Sequence, residues 1–78
     1  MLITFESSPA QWDILDSLCR QSMTQRQLRE DTGRDSGGIY RALRELISKG
    51  YVANISERTP YLYAATPSGR RAIGEEEP

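Results

Sequence analysis

The sequence predicts a mainly α domain closed by a small antiparallel β-hairpin, an α+β arrangement in which three helices precede the strands. Three observations carry this expectation. Prolines stand only at Pro9, Pro60, Pro67 and Pro78, so residues 10 to 59 are free of the strongest helix breaker. Two helix-capping patterns and two glycines divide that stretch into helices. After Gly50 the chain turns to aromatic and branched residues that favour extended backbone. With 78 residues, 37% hydrophobic and 27% charged, the chain suits one small core and no bilayer span.

Helix 1 opens at Ser8-Pro9-Ala10-Gln11, where a serine cap, a proline at the first helical position and a glutamine at the third form a capping box. It is expected to run to about Gln21. Trp12, Leu15, Leu18 and Cys19, with Ile14 alongside, recur at spacings of three and four and define its buried stripe, while Asp13 and Asp16 face away. Cys19 reads as a small packing residue on that face. Helix 2 opens at Thr24-Gln25-Arg26-Gln27, a second capping box, and stops before Gly33 with Leu28 as its one strong apolar anchor.

A tight turn, Gly33-Arg34-Asp35, leads into helix 3, capped by Asp35 or Ser36, reaching Lys49 and stopped by Gly50. Two helices so joined make a helix-turn-helix. On a helical wheel Ile39, Leu43, Leu46 and Ile47, flanked by Ala42, form the core face; Gly37, Arg41, Arg44 and Ser48 lie opposite, with Tyr40 and Glu45 on the borders. Tyr51 to Ile55 and Tyr61 to Ala65 then read as strands, joined by Ser56-Glu57-Arg58-Thr59-Pro60 with Arg58 at the tip. Thr66 caps a short last helix that has Pro67 at its first position and carries Arg70 and Arg71.

The domain therefore spans residues 9–73, between an apolar arm at 1–8 and an acidic tail at 74–78 whose composition favours disorder. The apolar start is short, lacks a basic flank and ends at Glu6, so it does not read as a secretory signal, and a cytoplasmic location is expected. With no histidine and one cysteine, metal-ligating and nucleophile-base constellations are missing from the sequence. Neither an enzyme nor a cofactor is expected.

The net charge of -1 hides a strong asymmetry. Residues 1–19 carry three acids and no base, and residues 72–78 carry Glu75, Glu76 and Glu77. Residues 20–71 hold all ten Lys and Arg against Glu30, Asp31, Asp35, Glu45 and Glu57, a net +5. A polyanion would meet that middle segment.

Three helices followed by a two-stranded wing is a winged helix-turn-helix. The chain resembles the MarR/PadR-like winged-helix regulators in Gly38-Ile39-Tyr40-Arg41-Ala42-Leu43-Arg44-Glu45-Leu46, in Lys49-Gly50-Tyr51-Val52, and in Ala65-Thr66-Pro67-Ser68-Gly69-Arg70-Arg71. The likeness covers about residues 9–73. It implies a DNA-binding transcriptional regulator, with helix 3 in a major groove, helix 2 beside the backbone and Arg58 of the wing near a minor groove. Those regulators dimerise through long helices outside the winged region, which this stretch does not contain.

The expected partner is double-stranded DNA. Arg26, Arg29, Arg34 and Arg58 are the candidate phosphate contacts, and Arg41 and Arg44 the candidate base readers, since a guanidinium fork matches guanine O6 and N7. Ser36 and Tyr40 are candidate phosphate donors, with packing beside Ile39 and Leu43 as the other role for Tyr40. Gly37, beside Gly38, either lets the positive helix end approach a phosphate or frays the cap. Met1, Leu2, Ile3 and Phe5 either pair across a two-fold axis into a homodimer or fold back over helix 1. No small-molecule ligand and no membrane partner are expected. The competing reading is a protein-interaction module that presents Tyr61, Tyr63 and the acidic ends.

Overall fold

The computed structural model describes residues 9–74. The apolar arm with its Ser8 cap, and residues 75–78 of the acidic tail, lie outside the described residues. Helix α1 spans Pro9–Arg20 and buries Ile14, Leu15 and Leu18, with Trp12 and Cys19 half-buried at the edges of the core. Ser17 is buried on the same helix. Its hydroxyl donates to Asp31 Oδ2 at 2.5 Å and accepts from Arg20 Nη2 at 3.2 Å, which satisfies a polar group that burial would otherwise penalise.

A short strand missing from the sequence expectation follows. Strand β1, Met23–Thr24, pairs antiparallel with β3, Leu62–Ala65, placing Met23 opposite Tyr63 and Thr24 opposite Leu62. Strand β2, Val52–Asn54, pairs with the other edge of β3, so the expected two-stranded hairpin is a three-stranded sheet of order β1-β3-β2. Two residues are too few to show an alternating pattern, and their pairing partner is remote in the sequence. Met23 helps to hold the strand in place, being buried in the core.

Helix α2, Gln25–Thr32, has both halves of its capping box: Gln27 N donates to Thr24 Oγ1, and Thr24 N donates to Gln27 Oε1. Gly33 closes it at φ 76°, a left-handed conformation that costs a glycine least. Leu28 is its fully buried anchor, as its isolation in the sequence suggests. Helix α3, Ser36–Ser48, buries Ile39, Ala42, Leu43 and Leu46. Ile47 departs from the expected core face and is 41% exposed. At 3.6 residues per turn it stands about 80° round the helix from Ile39, against about 20° for Leu46. That angle carries it off the buried stripe and onto the helix flank.

Helix α4, Pro67–Gly74, is held over the turn that follows α3. Thr66 Oγ1 donates to Gly50 O at 2.6 Å and accepts from Gly69 N at 3.0 Å, while Thr66 N donates to Tyr51 O at 2.9 Å. Gly69 is buried here because a methyl group in its place would collide with the Tyr51 carbonyl oxygen and crowd Leu15 Cδ1. One core therefore unites α1, α2, α3 and the sheet, leaving the outward face of α3 and the β2–β3 connection uncovered. Among the described residues, no helix is long and apolar enough to cross a membrane.

Candidate nucleic-acid interface

The outward face of α3 follows from its periodicity. With Ile39, Leu43 and Leu46 fixed inward, Arg41, Arg44 and Ser48 must point to solvent, and all three are exposed. They border a groove of about 660 Å³ that also takes in Gln11 from α1 and Tyr40 and Glu45 from α3. Among the described residues, no ion pair engages Arg41 or Arg44, so both guanidiniums keep their donors for an outside acceptor.

Tyr40 is not packed away beside Ile39 and Leu43. It is 52% exposed, and the Arg44 guanidinium carbon stands 5.8 Å from the centroid of its ring. One turn of helix separates the two residues, so the aromatic face can steady the cation while leaving its N–H edges open.

Helix α2 is tied to the start of α3 by two side-chain bonds. Arg29 Nη1 donates to Ser36 Oγ at 3.1 Å, and Gln25 Nε2 donates to Ser36 O at 3.3 Å. Ser36 is thus partly committed as an acceptor, and Arg29 is brought to the first turn of α3. Gln25 was not among the sequence candidates, since its position inside the capping box gave no sign of a bond across the turn.

Arg26 is 82% exposed with Glu30 one turn away at 3.6 Å, a pairing that water largely screens. Arg58 is exposed in the connection between β2 and β3, where Ser56 organises the chain: its backbone N–H and hydroxyl both donate to Asn54 Oδ1, and its oxygen accepts from Leu62 N. Arg34 is placed differently. Its Nε and Nη2 donate to Asp13 Oδ2 at 3.2 and 2.7 Å, and its side chain is only 34% exposed, so its charge is largely spent within the fold.

Gly37 and Gly38 both lie in the first turn of α3. Asp35 occupies the N-cap position without a side-chain cap bond, yet its carboxylate folds against both glycines: a methyl group on Gly38 would meet Asp35 Oδ1 at 3.0 Å. The end of the helix therefore already faces a negative charge of its own, which opposes a phosphate approaching at that point.

Two residues that the sequence offered only to a protein partner also line this side of the molecule. Tyr61 and Tyr63 flank a second cleft, about 230 Å³, that opens between the wing and the start of α2. Burial raises the Tyr63 phenol above its ordinary value, and the phenols of Tyr61 and Tyr40 raise it further, which places each of those two within electrostatic reach of Tyr63.

Residues 15–68 match the family model described as the sugar-specific transcriptional regulator TrmB. No curated protein matches the chain. Among solved structures, BpsR of Bordetella bronchiseptica superposes with a TM-score of 0.85 at 23% identity, covering 92% of this chain and 53% of that one. That structure concerns regulation of DNA binding by 6-hydroxynicotinic acid. The oxidized form of MarR from E. coli gives a TM-score of 0.79 at 26% identity over 90% of this chain and 52% of that one. A mutant MarR from E. coli complexed with operator DNA gives 0.77 at 24% identity over 90% and 53%. The chain spans about half the length of these structural relatives. The likeness fixes the fold as a winged helix.

Proposed function

Because the chain belongs to the TrmB family of sugar-specific transcriptional regulators, a family of regulators and not of enzymes, we propose that it binds double-stranded DNA in a sequence-specific way to control transcription. One observation carries the proposal: Arg41 and Arg44 stand side by side on the solvent face of α3, with no carboxylate pairing either among the described residues. In a major groove those two guanidiniums meet base edges, where each bidentate contact discriminates by about 1 to 3 kcal/mol. Arg26, Arg29 and Arg58 neutralise phosphates around it, and Ser36 contributes its hydroxyl proton. Tyr40 acts mainly by steadying Arg44. Arg34 contributes by holding α3 in place, through Asp13, more than by contact with DNA. The MarR structure with operator DNA supports this reading, as the same fold there holds a duplex.

Pairing into a two-fold dimer would set half-sites about 34 Å apart, one turn of duplex, or a multiple of that. TrmB regulators are sugar-specific and DNA binding by BpsR is regulated by 6-hydroxynicotinic acid, so the expectation of no small-molecule ligand gives way to a sugar as the candidate effector class. Selection from random duplexes tests the function. A defined motif that the chain binds at least about a hundredfold more tightly than scrambled duplex supports it, in line with the margin usual for specific readers. Equal affinity for all duplexes would remove the sequence-specific part.

A further inference from the structure

The cleft between α2 and the wing has Thr24, Gln25 and Arg26 on one side and Pro60, Tyr61 and Tyr63 on the other. Tyr63 lies on β3 and Tyr61 stands one residue before that strand, and both border the cleft. The Tyr63 ring packs against the core, which fixes where its hydroxyl emerges. Neither phenol hydroxyl has a hydrogen-bond partner among the described residues, whereas Thr24 and Gln25 are already engaged, by Gln27 N and Ser36 O. Arg26 stands at the cleft with most of its guanidinium in solvent, and no carboxylate lines the cleft. Such a wall offers donors and a positive charge that only the solvent-screened Glu30 contests, which suits an acceptor-only group.

The cleft is also tied to the start of α3. The Gln25 and Arg29 bonds to Ser36 join its α2 wall to the first turn of α3, and Tyr40 lies within electrostatic reach of Tyr63. On the DNA-binding reading, a strand of duplex between the groove filled by α3 and the groove reached by the wing would run beside this cleft.

We infer that the cleft seats one phosphate of that strand, with the Tyr61 and Tyr63 hydroxyls donating to its non-bridging oxygens and the Arg26 guanidinium neutralising it. The inference rests on the DNA-binding reading and adds to it a seat that positions the wing without reading sequence. Burial supports the donor role, since a raised Tyr63 pKa keeps the proton on the phenol throughout the neutral range.

Tyr61→Phe, Tyr63→Phe and the double variant remove only the hydroxyls, and Tyr61→Phe at the more exposed ring keeps the test alive should Tyr63→Phe fold poorly. Each is titrated with a selected duplex and with copies carrying a single uncharged methylphosphonate at successive positions. Each single variant is expected to bind about ten- to a hundredfold more weakly, on every sequence alike, as for a lost hydrogen bond to a charged group. One methylphosphonate position should weaken the wild type and cost the double variant distinctly less, since only the Arg26 attraction is left there to lose. Phenylalanine variants that bind like wild type, or a methylphosphonate penalty undiminished in the double variant, overturn the seat. If Arg41→Ala and Arg44→Ala still lose affinity in that case, DNA reading stands without it. If they too bind like wild type, both ideas fall.

Discussion

Arg34 Nη2 lies 2.7 Å from Asp13 Oδ2, fastening the turn between α2 and α3 to the first helix of the domain. A cation that composition alone would assign to DNA is thereby turned inward. Both side chains are partly exposed, so solvent limits the pair to about 1 kcal/mol. Arg34→Ala and Asp13→Ala should each lower the unfolding free energy by about that amount, and the double variant should lose little more than either single one. Urea titration measures all three. Fully additive losses would show that the two residues act separately.

Gly69 should tolerate no side chain. A methyl group there meets the Tyr51 carbonyl oxygen, a backbone atom that cannot swing aside, as well as Leu15 in the core. Gly69→Ala is expected to destabilise the domain by about 1 to 3 kcal/mol despite the better helix propensity of alanine. A melting temperature equal to or above that of wild type would contradict the close approach of α4.

On the reading face, Arg41→Ala or Arg44→Ala should weaken binding to the selected duplex by about 1 to 3 kcal/mol and relax its sequence preference. Arg58→Ala should weaken all duplexes alike. Tyr40→Leu, which keeps bulk and removes the ring beneath Arg44, should cost about 0.5 to 1 kcal/mol. Competition titrations with matched and scrambled duplexes separate these effects. Folded helix variants with unchanged affinity would take α3 out of the interface.

Cys19 supplies a pH dependence. Burial raises its thiol above the ordinary 9.0, opposed by the nearby Arg70 and aided by Asp16. A raised acid favours the protonated form in the folded state. Its stability is therefore fully present below the unfolded value and is lost as pH rises through the folded one. The unfolding free energy of wild type relative to Cys19→Ala should hold steady up to about pH 8 and fall above about pH 9, as the thiol of the unfolded chain ionises. A difference that stays flat into strong alkali would contradict the burial of the thiol.

The helices were legible because their signals are local. Thr24 and Gln27 form the capping box their spacing announces, Gly33 takes the left-handed stop, and Ile39, Leu43 and Leu46 turn inward together. The strand at Met23–Thr24 was not legible, since two residues show no period and their partner lies some forty residues away in β3. Ile47 was misassigned because a wheel shows direction but not where neighbouring elements end. Within the candidate interface, the outward stance of Arg41 and Arg44 could be read from periodicity. The capture of Arg34 by Asp13 could not, because it depends on how α1 crosses the turn. Tyr61 and Tyr63 did carry a signal, their two-residue spacing on extended chain, but nothing local revealed that α2 would face them.

If phosphate neutralisation by the arginines of residues 20–71 drives the proposed DNA binding, added salt must weaken it. With four to six phosphates engaged per chain, a plot of log affinity against log salt should fall with a slope of about -4 to -5, at about -0.9 per contact. A slope near zero between low and moderate salt, with the domain folded, would contradict the account.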